Sequence, residues 1–123
     1  MNTGGATTWY FPDGYLPHKQ AGAAVEAHEA LMLLNVGLVD ANVLIDIYFS
    51  DRAPLRDIPV KVPAERIIAL RMDSPIDLGG AVIPELTQYA LRIISDQRLV
   101  AQFGRLDTTQ DNLAYYGSDG FHE

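Results

Sequence analysis

Proline and glycine interrupt this chain so often that long regular elements have little room. PDG at 12–14, Pro17, Gly37, Asp40, Pro54, Pro59, Pro63, Pro75, Gly79–Gly80 and Pro84 leave mostly short runs between them. Those runs are rich in β-branched and aromatic residues: TTWYF at 7–11, NVLIDIYFS at 42–50, IPVKV at 58–62, ERIIALRM at 65–72, TQYALRIIS at 87–95 and RLVAQFGRL at 98–106. The 42–50 run alternates, with Val43, Ile45, Ile47 and Phe49 on one face and Leu44, Asp46 and Tyr48 on the other. Asp96-Gln97 reads as the tight link of a hairpin between the last two runs, although it is not the favoured Asn-Gly turn. Many short strands with regular turn signals predict an all-β fold, an antiparallel β-sandwich of about 7–8 short strands.

One segment opposes that pattern. AGAAVEAHEALMLLN at 21–35 is rich in helix formers, with Ala24, Ala27, Leu31 and Leu34 at helical spacing. Propensity is a weak prior that tertiary context overrides. The surrounding β pattern therefore favours a strand at 28–36, pairing with 42–50 through VGLVDA. At 123 residues the chain is long enough for one domain with its own core, with loose polar ends at 1–6 and 117–123.

Charge and composition remove several function classes. The chain has no cysteine, so thiolate metal sites and cysteine nucleophiles are impossible, and a reducing cytoplasm fits. No basic-then-apolar signal opens the sequence, and its longest apolar run, 30–39, is too short for a membrane span. The net charge of −7 argues against nucleic acid as a partner, because non-specific duplex binding rests on phosphate neutralisation. HEALM at 28–32 lacks the second histidine of a zinc-protease helix, and no P-loop, dinucleotide fingerprint or serine elbow occurs. No metal, cofactor or catalytic set is expected, and the chain is read as a non-enzyme.

The remaining candidates are polar or aromatic groups placed on strands. Trp9 and Tyr15 flank PDG, either as core rings or as a stacking platform for a flat or sugar-like ligand. His28 and Glu29 face opposite ways if the backbone is extended. Asn35 ends its run and can start a turn. Asp46 alternates with apolar residues and needs a partner, with Arg66, Arg71, Arg92 and Arg105 available. Arg105 and Asp107 share one strand face. Seven of the nine cations are arginine, the residue suited to planar bidentate contacts. The arginines and acids form either a closed salt-bridge layer or an anion-binding floor, and the spacing is compatible with both.

Seven motifs occur in order along the chain: WYFPDGYLP at 9–17, HE at 28–29, LN at 34–35, IYFSD at 47–51, VPAER at 62–66, RMD at 71–73 and VAQFGRLD at 100–107. This series resembles the sensory rhodopsin transducer family. The resemblance implies a β-sandwich assembled as a homotetramer, strand rather than helix at 28–36, and a soluble partner for a membrane photoreceptor. It also implies a small-molecule-binding domain, with a sugar-related ligand, and brings an association with DNA as an alternative. By that resemblance the ligand-binding residues are Trp9, Tyr15, His28, Glu29, Asn35, Tyr48, Asp51, Arg66, Arg71, Gln102, Arg105 and Asp107. Phe103 and Thr109 stand where the family often carries His and Arg, which removes polar capacity near Gln102 and Asp107. The expected outcome is one recess that gathers these distant side chains.

Overall fold

A computed structural model of the chain describes residues 4–17, 28–107, 114–118 and 120–123. All of its regular elements are strands: β1 Ala6–Tyr15, β2 His28–Asn35, β3 Ala41–Phe49, β4 Leu55–Val62, β5 Arg66–Arg71, β6 Gln88–Asp107, β7 Ala114–Ser118 and β8 Phe121–His122. Every strand pairing is antiparallel. One layer runs β4-β3-β6-β1-β8 and the other β5-β2-β6-β7. The result is the expected antiparallel sandwich, and 28–35 is strand. The helix-prone residues 21–27 lie outside the described residues.

Alternation along each strand builds the core. Val43, Ile45 and Ile47 of β3 are buried, as are Leu31 and Leu33 of β2, while Leu44, Met32 and Leu34 on the opposite faces are not. Trp9, Ile93, Ile45 and Ile58 stand opposite one another across four strands of the first layer. Burying a large aliphatic or aromatic side chain contributes about 1.5–3 kcal/mol, and rows of this kind fix the register. The β5–β6 connection closes one end of the sandwich by burying Met72, Leu78 and Ile83.

The hairpin expected at Asp96-Gln97 does not form. Residues 88–107 make one strand of 20 residues that leaves the first layer and enters the second. The buried odd positions run from Tyr89 through Leu91, Ile93, Leu99 and Ala101 to Phe103, so the alternation carries through the corner. Polar groups brace the bend where a turn was expected. The Asp96 carboxylate accepts from the Asn42 backbone N–H at 2.8 Å and its Nδ2 at 3.0 Å. The Ser95 hydroxyl accepts from Gln97 N–H at 3.2 Å. On β1 the partner register jumps between Ala6↔Leu99 and Thr8↔Ile94, which absorbs the extra β6 residues as a bulge.

Three further expectations change. Strand 28–35 pairs with β5 and β6, not with 42–50, because 36–40 crosses between layers. Asn35 holds that crossing: its Nδ2 donates to the Val39 and Val62 carbonyls at 2.9 and 3.1 Å, and its Oδ1 accepts from Gly37 N–H at 2.9 Å. PDG at 12–14 is a register shift inside β1, not a turn that ends it. The end expected to be loose at 117–123 instead carries β8, which pairs His122 with Trp9 and Phe121 with Tyr10.

Gly5 meets β6 at the corner. Its φ is +104°, and a side-chain carbon there would overlap the Leu99 carbonyl. Gly5→Ala is expected to lower unfolding free energy by at least about 1–3 kcal/mol, read as a reduced midpoint in urea titration. An unchanged midpoint would show that the corner does not depend on this approach.

A buried carboxylate, an aromatic ladder and an open recess

Glu29 sits on the inner face of β2, fully buried, opposite Arg105 of β6. Its Oε2 accepts from Arg105 Nε at 2.6 Å. Its Oε1 accepts from the Tyr89 hydroxyl at 2.7 Å and from Tyr15 N–H at 2.9 Å. Three strands therefore converge on one carboxylate, which answers the demand that a buried charge be paired and hydrogen-bonded. Burial pushes the Glu29 carboxyl above the usual carboxylate range, against the pull of Tyr89, Arg105 and Tyr15. Burial, then the charge of Glu29, raises the Tyr89 phenol far enough to keep it protonated and donating.

From Tyr89 a line of rings crosses the core. Tyr89 meets Phe103 edge-on at 6.3 Å, Phe103 meets Phe11 at 6.0 Å, and Phe11 lies parallel to Trp9 at 6.3 Å. Trp9 Nε1 donates to the Leu99 and Ala6 carbonyls at 3.1 and 3.3 Å, which ties the ring to the β6 corner. Beyond Trp9 lies an open recess of about 410 Å³, lined by Trp9, Val100, Ala101, Gln102, Gly120 and His122. The imidazole of His122 covers Trp9 at 4.7 Å, tilted by 45°. Trp9 is a core residue with only a small part of its surface open, so it forms a wall of the recess.

The expected site residues fall in several places. Tyr15, Glu29 and Arg105 meet at the buried carboxylate, while Trp9 and Gln102 share the recess. His28, half-buried, stands opposite Leu106 with its side chain turned away from Glu29. Asn35 and Arg66 face each other at the far end of β2, where Arg66 donates to the Glu65 carbonyl. Tyr48 lies on the outer face of the first layer, with the Arg56 and Arg92 guanidiniums 5.6 and 5.8 Å from its ring centre. Asp51 is an exposed partner of Arg52 at 2.9 Å, and Arg71 pairs with Asp73 at 2.6 Å. Asp107 ends β6 opposite Ala114, and the expectation for its side chain lies outside the described residues, as does Thr109. The single recess expected to gather all of these is thus divided between a sealed anchor and an open pocket, with the remaining residues placed elsewhere.

Asp46 does find its arginine. Arg92 Nη2 donates at 2.7 Å, and Asp57 N–H donates to the other oxygen at 2.9 Å from a left-handed φ of 59°. Burial alone would raise the Asp46 carboxyl, but these donors outweigh it and hold it below the usual range. Tyr89 and His122 were missed as site residues. Tyr89 reads from sequence only as one residue of the 87–95 strand run, and His122 lies in the segment expected to be loose. Among the described residues no group of His, Asp and Glu is placed to hold a metal ion, and no helix is long and apolar enough to cross a membrane.

The fold and site define a two-layer β-sandwich with a buried polar anchor and an open recess, the architecture of the sensory rhodopsin transducers. The chain belongs to the Anabaena sensory rhodopsin transducer family, whose model matches residues 4–122. The crystal structure of Thermotoga maritima 1070 superposes with a TM-score of 0.84 at 30% identity, covering 98% of this chain and 97% of that one. The Anabaena sensory rhodopsin transducer superposes with a TM-score of 0.75 at 36% identity, covering 88% and 93%. A comparison with curated proteins gives no match.

Two outcomes follow from the anchor. Arg105→Ala leaves Glu29 buried without its cation, so stability falls by about 3 kcal/mol in urea unfolding. For Glu29 the folded pKa lies above the ordinary value of about 4.3. Its contribution to stability is therefore fullest below that value and is lost as pH rises through the folded pKa. Glu29→Gln removes that dependence. The stability of the variant relative to wild type should rise as pH climbs from about 4 and then level off. A difference that stays flat with pH would contradict the assignment.

Proposed function

We propose that this chain is a non-enzymatic ligand-binding and signal-transducing module that works as a homo-oligomer. Its ligand site is the recess beside Trp9, and the ligand is a small polyol or sugar. The observation that carries this reading is the lining of the recess. Trp9, Val100 and Ala101 offer apolar surface, while the Gln102 amide and the His122 imidazole offer donors and acceptors. That mixture matches a molecule with hydroxyls on its rim and an apolar ring face. The volume is also within the ordinary range for small-molecule sites. The recess abuts the β6 corner, where the two layers are joined, so occupancy bears directly on how they sit together.

Homotetrameric assembly follows the family resemblance. Apolar side chains on the outer strand faces support it: Leu44 and Ile94 on one layer and Ile67 on the other. Membership of a transducer family supports a membrane receptor as partner and a cytoplasmic working place. The net charge of −7 disfavours the DNA-binding alternative.

Thermal-shift screening against neutral sugars and polyols tests the site, since a ligand that favours the native form raises the melting temperature. Binding is expected for wild type and is expected to weaken in Gln102→Ala and Val100→Trp, the second by filling the recess. Equal binding by all three proteins would move the ligand elsewhere. A monomer mass by light scattering would remove the oligomeric part of the reading.

A further inference from the structure

His122 lines two recesses. The second is smaller, about 200 Å³, lined by Gly5, Ala6, Thr7, Arg98, His122 and Glu123. The two hollows follow the corner of β6, with Gln102 in the first and Arg98 in the second. Resting on the ligand-binding reading above, we infer that they form one trough for a small polyol carrying a carboxylate, a sugar acid, with Arg98 holding the acid group.

The state of Arg98 supports this. Arg52, Arg56, Lys61, Arg71, Arg92 and Arg105 each lie within ion-pair distance of a carboxylate. Arg98 has no such partner among the described residues. Its Nη1 donates to the Gly5 carbonyl at 3.3 Å, which leaves the rest of the guanidinium fork uncommitted. Glu123 borders the same hollow and keeps its charge; its Oε1 accepts from the Tyr10 hydroxyl at 3.0 Å, and no ion pair ties it to Arg98 among the described residues. In a chain of net charge −7 acids are plentiful, yet this arginine is left to an outside anion. Arg66 also lacks a carboxylate partner among the described residues, but it lies at the far end of β2 and lines neither hollow. A planar fork matches a carboxylate by two parallel hydrogen bonds. The Gln102 amide and the His122 ring, further along, suit the hydroxyls.

Calorimetric titration with galacturonate and gluconate, set beside galactose and sorbitol, tests the assignment. Wild type should bind each acid about tenfold more tightly than its neutral counterpart, the ratio expected from roughly one charge-assisted hydrogen bond. Arg98→Gln should erase that preference while leaving neutral binding and melting temperature unchanged, because the side chain is exposed. Equal affinity for acid and neutral forms, unaltered by Arg98→Gln, would overturn the anion site and leave the recess reading standing. No binding of any of the four would overturn both.

Discussion

One strand belongs to both layers, and the rest of the architecture follows from that continuity. Two sheets held only by side-chain packing can slide or splay. Here the backbone of β6 joins them covalently through Ser95–Leu99 while its inner face stays inner on both sides of the bend. The corner is therefore a direct covalent link between the layers within one strand. It also draws together the groups around it: Asn42 against Asp96, the Trp9 indole on the Leu99 carbonyl, and the close passage of Gly5. The recess opens next to this link, so its shape is set by backbone geometry more than by loops.

The buried carboxylate serves the opposite end of the same strand. Glu29, carried by β2, is held by a backbone N–H from β1 and by a phenol and a guanidinium from the two halves of β6. An apolar replacement could fill the volume, but it would not fix which strand residue stands opposite which. The ring ladder Trp9, Phe11, Phe103 and Tyr89 links anchor and recess through contacts no longer than 6.3 Å. Phe103 is a rung of that ladder, an apolar ring between Tyr89 and Phe11 that leaves the anchor itself intact.

Much of this was legible in sequence wherever one face is buried and the other wet. The 42–50 alternation gave the correct inward set, and Asp46 was correctly read as an acid in need of an arginine. Ordered motifs outweighed helix propensity at 28–35, because β2 is buried between β5 and β6, where packing decides. What failed was connectivity. Asp96-Gln97 and PDG both carry turn-type residues, and nothing local separates a turn from a bulge, since the difference lies in the partner strand. The pairing of 28–35 failed for a related reason: adjacency in sequence favours a hairpin, whereas the Asn35 bracket sends 36–40 across to the other layer. The terminal strand was invisible because β8 is only two residues long and owes its place to the edge of β1.

That terminal strand decides what the recess can be. Without β8, Trp9 would lie at an open sheet edge and the hollow beside Gln102 would lack a wall. With it, His122 lies over the indole and lines both hollows. Gly120 makes the approach possible, because a side-chain carbon there would come within 2.6 Å of the Phe11 ring. Two residues of strand with exposed side chains bury little and are held mainly by the paired hydrogen bonds between Thr8 and Glu123, at 3.0 and 3.1 Å. Ordering them costs about 1–2 kcal/mol per residue, so β8 lies near the low end of local stability. A ligand that bridges Gln102 and Arg98 across His122 would add contacts to this marginal element. The terminal strand is thus where binding energy most readily becomes a change in the ordering of the molecule.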